Sequence, residues 1–267
     1  MSDDDRYWSV TTILGEGIPK PALVGWAAKV VAEHAVDNID GVAAIARSDR
    51  AGAVKYLTDS RFRTTSEAAA RGSELHRIAE SYALGQPIQP PDHLARYISQ
   101  FTRFLDDHAP RYLASEAPVF NAAYRYAGTL DAIVEIDGKT CVLDMKTTPK
   151  GPGERSRPPW PEVALQLTAY SRADFLAIRG AKQMTGQRGG RRYYALEDDH
   201  EVEPLPPIDG AFALVISPED YRLVPARIDD TVWNTFLYVR EVARWSLDTS
   251  KTVLGAPVTA TARRAAA

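Results

Sequence analysis

Gly128-Thr129-Leu130-Asp131, followed after a short interval by Leu143-Asp144-Met145-Lys146-Thr147, reads as two neighbouring strands that bring charge to matching positions. Side chains alternate across a strand, so Asp131, Ile133 and Glu135 share one face, and Val142, Asp144 and Lys146 share another. Between them stands Asp137-Gly138, a dipeptide suited to a two-residue hairpin turn because both positions tolerate positive φ. Counting outward from Ile136 opposite Lys139 sets Asp131 directly opposite Asp144, with Cβ atoms roughly 4.5–5.5 Å apart.

Two carboxylates so placed repel one another, and they stand beside apolar strand residues such as Val134 and Val142. That is a negative hole which a divalent cation can fill. Oxygen ligands and the lack of a nearby thiolate point to Mg2+ or Mn2+ rather than zinc. Lys146, one strand period beyond Asp144, brings an ammonium to the same face, where it can orient a water or steady charge developing on a phosphate. An isolated Asp-x-Lys on a hairpin also reads as a solvent-exposed ion pair. Two further stretches favour the site.

Downstream, Pro161-Glu162-Val163-Ala164-Leu165-Gln166-Leu167-Thr168-Ala169-Tyr170 reads as the start of a helix over 161–178, with Gln166 and Tyr170 four apart on one face. Upstream, Arg71-Gly72-Ser73-Glu74-Leu75-His76-Arg77-Ile78-Ala79-Glu80 reads as a helix opened by the capping-box pattern Thr64-Thr65-Ser66-Glu67. His76 and Glu80 share its face.

The ordered set Gly-Ser-Glu-Leu-His, Gly-Thr-Leu-Asp, Leu-Asp-Met-Lys-Thr and Gln-Leu-Thr-Ala-Tyr resembles the PD-(D/E)XK nuclease superfamily, in its RecB-like branch, over residues 71–170. Ser9-Val10-Thr11-Thr12-Ile13-Leu14 with Trp26, and Val215-Ile216-Ser217 with Tyr221 and Leu223, are similar to small bacteriophage exonucleases of that branch. The resemblance implies an α/β fold with a restriction-endonuclease-like core, a mixed central β-sheet flanked by α-helices. It implies that Asp131, Asp144, His76 and the Met145 carbonyl hold the metal, that Lys146 is the catalytic lysine, and that Gln166 and Tyr170 position the lysine or the DNA strand. It further implies a metal-dependent DNA exonuclease of phage recombination, replication or repair, with DNA and a single-strand-annealing recombinase as partners. The preference for exonuclease over endonuclease rests on the resemblance alone. A sequence- or structure-specific endonuclease and a catalytically idle DNA- or recombinase-binding scaffold stand as the alternatives. Some relatives carry an iron-sulfur cluster on four cysteines; Cys141 is the single cysteine of this chain, which excludes such a cluster within it.

Composition fits this expectation without requiring it. The chain has 267 residues, 45% hydrophobic and 25% charged, with a formal net charge of -3. The size is that of one elaborated domain, expected over 1–248, with a disordered tail over 249–267. The net charge argues against indiscriminate coating of nucleic acid, but positive charge clusters locally. Lys150, Arg155 and Arg157 lie in a Pro/Gly-rich run after Lys146, expected to be a mobile loop at the rim of the site. Lys182, Arg188, Arg191 and Arg192 surround Gly189-Gly190 and precede Tyr193-Tyr194. Phosphate contact with base stacking and a solvated loop are both open for each cluster.

The remaining stretches give organisation. Pro21–Val36 reads as a helix whose Leu23, Trp26, Ala27, Val30 and Val31 are expected to pack in the core, and 92–108 as an amphipathic helix. Strands are expected over 116–120, 126–136, 140–146, 212–217 and 221–227, an acidic Pro-rich loop over 197–209, and a final helix over 229–247. Glu116 then reads as a carboxylate at a strand end. There is no run of about 18 apolar residues and no signal-peptide pattern, so no membrane association and a cytoplasmic location are expected. No Walker-type string occurs, so no nucleotide cofactor is expected.

Overall fold

The computed structural model describes residues 6–87, 91–149, 159–186 and 190–257, with side chains outside 63–68. The fold is α/β. Among the described residues the chain runs β1 (Tyr7–Ser9), α1 (Val10–Gly17), α2 (Pro21–Asp37), α3 (Ile39–Ser48), α4 (Arg50–Ala83), α5 (Ala95–His108), β2 (Arg111–Asn121), β3 (Tyr126–Ile136), β4 (Lys139–Thr147), α6 (Glu162–Ser171), β5 (Phe175–Thr185), β6 (Arg192–Pro204), β7 (Gly210–Ile216), β8 (Tyr221–Pro225) and α7 (Asp230–Leu247).

The strands form one mixed sheet in the order β1-β6-β5-β2-β3-β4-β7-β8. Only β4–β7 and a short β1–β3 contact are parallel; the other neighbours are antiparallel. Since β1 bonds both β6 and β3, that end of the sheet curls into a ring around Phe120, Ala127, Ala177 and Tyr194. One face of the sheet packs on α1, α6 and α7 through residues such as Ile13, Leu167 and Phe236. The other packs on α4 and α5 through Leu75, Phe101 and Phe104. A sheet covered on both faces buries most of its central strands β3, β4 and β7.

The Asp137-Gly138 turn forms as expected, with φ of 51° and 72° and Ile136 opposite Lys139. Four expected elements differ. The helix start expected at 64–67 lies inside α4, which runs through it from Arg50, where Asp49 accepts from Gly52 N. With no proline in this stretch and three consecutive alanines after it, nothing ends the helix. The helix expected over 161–178 ends at Ser171: Asp174 N donates to the Phe120 carbonyl, and Phe175 and Leu176 pair with β2. The acidic loop expected over 197–209 is largely strand. Residues to Pro204 pair with β5, and Arg179–Glu201 and Lys182–Glu197 ion pairs cross the ladder, so acidic composition conceals β structure there. The α2 stripe is not core: none of its residues is buried, and Leu23, Val24 and Trp26 are exposed. α2 and α3 instead lean on α4 as a helical arm. Beyond α7, Thr249–Lys251 forms a 3-10 turn, and 258–267 lie outside the described residues.

Candidate active site

The site forms where alternation fails in two adjacent strands at once. In β3, Leu130 and Ile133 pack in the same core cluster although they are three apart, while Ala132 packs on the opposite face. In β2, Ala117 and Ala114 do the same across Glu116, whose φ is +47°. The pairs Ser115↔Ala132 and Ala117↔Leu130 keep the register, so Glu116 and Asp131 stand opposite each other at the slip. A non-glycine residue at positive φ costs of order 1 kcal/mol or more and persists where its surroundings demand it. Here it turns Glu116 toward the carboxylate opposite.

α4 brings His76 over this pair. His76 Nδ1 lies 3.2 Å from Glu116 Oε1 and 3.5 Å from Asp131 Oδ1, and Nε2 lies 3.0 Å from the Met145 carbonyl. Both ring nitrogens therefore face acceptors, which suits the doubly protonated ring. Burial opposes that charge, but the Glu116 hydrogen bond and the Asp131 charge outweigh it and raise the His76 pKa. Asp131 Oδ2 accepts from Met145 N at 2.6 Å, just past Ala132↔Leu143, the last recorded pair of the β3–β4 ladder. Burial, then repulsion from Asp144, push the Asp131 carboxyl up to about 7, against the opposing pull of His76, Lys146 and the Met145 amide.

Asp144 is 1% exposed. Lys146 Nζ donates to its Oδ1 at 2.7 Å and Gln166 Nε2 donates to the same oxygen at 2.9 Å. Oδ2 is also 2.7 Å from Nζ, yet it is buried without a directed hydrogen bond. Burial alone would lower the Lys146 ammonium, but Asp144 and Asp131 outweigh it and hold it above the usual lysine range. Tyr170 lies behind Gln166, 3.4 Å from its amide, and is 2% exposed. Burial, with the charges of Asp131 and Asp144, keeps its phenol protonated. A cleft of about 520 Å³ opens over the group, walled by α4 (Gly72, Ser73, His76, Glu80), Glu116 and Lys146.

Asp131, Asp144, Lys146, Gln166, Tyr170, His76 and Met145 are thus brought together. Glu116 was expected only as a strand-end carboxylate, yet it lies within β2 and joins His76 and Asp131 in a three-residue donor set. The sequence before it, Arg111-Tyr112-Leu113-Ala114-Ser115, holds one strongly β-favouring residue, Tyr112, so local propensity gave no signal that Glu116 lies inside a strand. Of the basic residues, Arg191 makes a two-point ion pair with Glu16, and Lys182 pairs with Glu197. The Arg192 backbone is tied to Thr12 Oγ1. Lys150, Arg155, Arg157 and Arg188 lie outside the described residues.

The donor chemistry fits a hard divalent cation: clustered carboxylates, one imidazole, and a buried carboxylate oxygen lacking a directed partner. Among the described residues no helix is long and apolar enough to cross a membrane. No protein-family model matches the chain, and no curated protein matches it.

Proposed function

We propose that the chain is a Mg2+- or Mn2+-dependent DNA nuclease of the PD-(D/E)XK type, acting as an exonuclease. The observation that carries this reading is the convergence of Asp144, Lys146 and Gln166 with the His76–Glu116–Asp131 set at one cleft. In this reading β2, β3, β4 and β7 are the restriction-endonuclease-like core. His76, Glu116, Asp131, Asp144 Oδ2 and the Met145 carbonyl are the groups that would hold the metal. A bound divalent ion supplies Lewis acidity toward a phosphodiester oxygen and lowers the pKa of a bound water.

The chain's own residues do the rest. Lys146 Nζ, held protonated, donates hydrogen bonds and cannot serve as the general base in that state; its task is to orient and to steady negative charge on the phosphate. Gln166 fixes Asp144 by donating to Oδ1, which leaves Oδ2 as the buried oxygen without a directed hydrogen bond. Tyr170 backs the Gln166 amide as a neutral phenol. Glu116 and Asp131 fix the orientation of the His76 ring, as carboxylates do for ligand histidines. Among the described residues this reading assigns no side chain as a nucleophile, so hydrolysis without a covalent intermediate is the expected course.

The test is digestion of matched linear and covalently closed circular DNA with Mg2+, Mn2+ or EDTA, beside Asp144→Ala and Lys146→Ala. Metal-dependent loss of the linear form alone, reduced about 10³-fold or more in both variants, is expected. Cutting of the circle would move the assignment to an endonuclease. No cutting of either form under any metal would replace it with a DNA- or recombinase-binding scaffold.

A further inference from the structure

A second cavity, about 220 Å³, opens between β1, the turn before β3 and the C-terminal half of α7. Arg6, Arg125, Arg240 and Arg244 line it against one carboxylate, Asp248. It shares no lining residue with the carboxylate cleft. In a chain of net charge -3, four guanidinium groups around one small cavity are a local concentration of positive charge.

Arg125 and Arg240 each meet a ring and a backbone carbonyl. The Arg125 guanidinium lies over the Tyr7 ring, 4.3 Å from its centroid, and among the described residues it pairs with no carboxylate. Arg6 lies over the rings of Tyr193 and Trp8 at 4.6 and 5.4 Å. Arg240, 18% exposed, donates to the Tyr124 carbonyl and pairs with Glu241, which also serves Arg244 at 2.9 Å. Asp248 accepts from the Trp8 indole at 3.3 Å. Among the described residues, Glu241 and Asp248 are the carboxylates beside Arg125, Arg240 and Arg244, and Arg125 pairs with neither. Burial pulls the Arg240 guanidinium below the usual arginine value, with Glu241 opposing and Arg244 adding to the effect, and a bound anion would relieve it. A planar guanidinium held by stacking loses less freedom on binding an oxyanion, which it can meet with two parallel N–H groups.

We propose that this cavity is a phosphate-binding site, which takes phosphate groups from a nucleic-acid strand or as free phosphate. Arg125 precedes Asp131 by six residues along β3, about 20 Å at strand rise, so a polynucleotide held here is gripped well away from the carboxylates. The proposal stands whether or not the cleft cuts DNA.

It is tested on the full chain in EDTA by thermal unfolding, with sodium pyrophosphate against sodium chloride of equal ionic strength. Arg125→Asn suits the positive φ of that turn (52°), and Arg244→Gln changes an exposed side chain. Pyrophosphate is expected to raise the Tm of the parent by a few degrees beyond chloride, less in Arg244→Gln, and not at all in the double variant. Fluorescence anisotropy of a labelled single-stranded oligonucleotide then separates the sources. About tenfold weaker binding in the double variant, with competition by pyrophosphate, assigns the site to the nucleic-acid backbone. Unchanged oligonucleotide affinity with loss of the pyrophosphate effect assigns it to free phosphate. No pyrophosphate-specific rise in the parent, or a rise undiminished in both Arg244→Gln and the double variant, overturns the site.

Discussion

Gly128 lies under the ring of Tyr170, where a Cβ would stand 2.6 Å from Cε1. The glycine of Gly-Thr-Leu-Asp therefore matters for close approach, since its φ is not in the left-handed region. Gly128→Ala should displace Tyr170, loosen Gln166 behind Asp144 and cost about 1–3 kcal/mol. In a Tyr170→Ala background the same change should cost nearly nothing, a coupling that denaturant titration of the four proteins measures. Asp131 carries a second prediction. Its carboxyl, raised to about 7, keeps a proton in the folded protein that the unfolded chain releases near the ordinary carboxyl value of 3.8. The folded state binds more protons between those values, so its stability falls as pH rises from about 4 to about 7. The raised His76 acts in the same direction, losing its contribution as pH rises through its folded value. Urea denaturation in EDTA should show the parent losing roughly 1–3 kcal/mol across this window, with a flatter profile for Asp131→Asn. Equal slopes would sink the assignment of the proton to Asp131. Added Mn2+ should restore the stability near pH 7, because ionised carboxylates are then the better ligands.

Ser9 joins two elements. It closes β1 opposite Ala127, and its Oγ caps α1 by accepting from Thr12 N at 3.1 Å while 2% exposed. Thr12 in turn ties to the Arg192 backbone, so the Ser-Val-Thr-Thr string holds α1 against β6. Ser9→Ala should cost about 1–2 kcal/mol, read from the midpoint of chemical unfolding, and Ser9→Asp should recover less than a surface cap would because the site is buried. The element boundaries show what sequence patterns miss. Amphipathic α5 and α7 lie within a few residues of expectation, since a period of 3.6 marks one buried face. The β5–β6 ribbon was harder to read because much of it is exposed on both faces, leaving little period-two signal.

At the scale of the molecule the covered sheet and the helical arm differ in how they are held. β3, β4 and β7 bury most of their residues, whereas α2 and α3 bury none. Stability should be distributed accordingly. Hydrogen exchange is expected to show α2 and α3 amides exchanging by local opening, and those of β3, β4 and β7 only with global unfolding. Equal protection in both sets would show that the arm is integral to the core. Trp26→Ala, 37% exposed on that arm, should shift the Tm far less than Phe236→Ala, which is fully buried.

The sequence by itself determined the β3–β4 hairpin, its register, and the shared face of Asp144 and Lys146, because a two-residue turn and period-two alternation are local rules. Asp131, expected opposite Asp144, lies past the last pair of that register where alternation fails, so its place beside Met145 and His76 was not set by the local rule. The sequence also determined that Gln166 and Tyr170 share a helical face. Only the tertiary structure decided that Glu116 joins His76 and Asp131, since that depends on α4 packing over the sheet and on two strands slipping together against their own alternation. It likewise decided that the α2 stripe leans on α4 and stays outside the core, with Leu23 and Trp26 exposed. Apolar periodicity shows that a helix has a face, but packing decides what covers it.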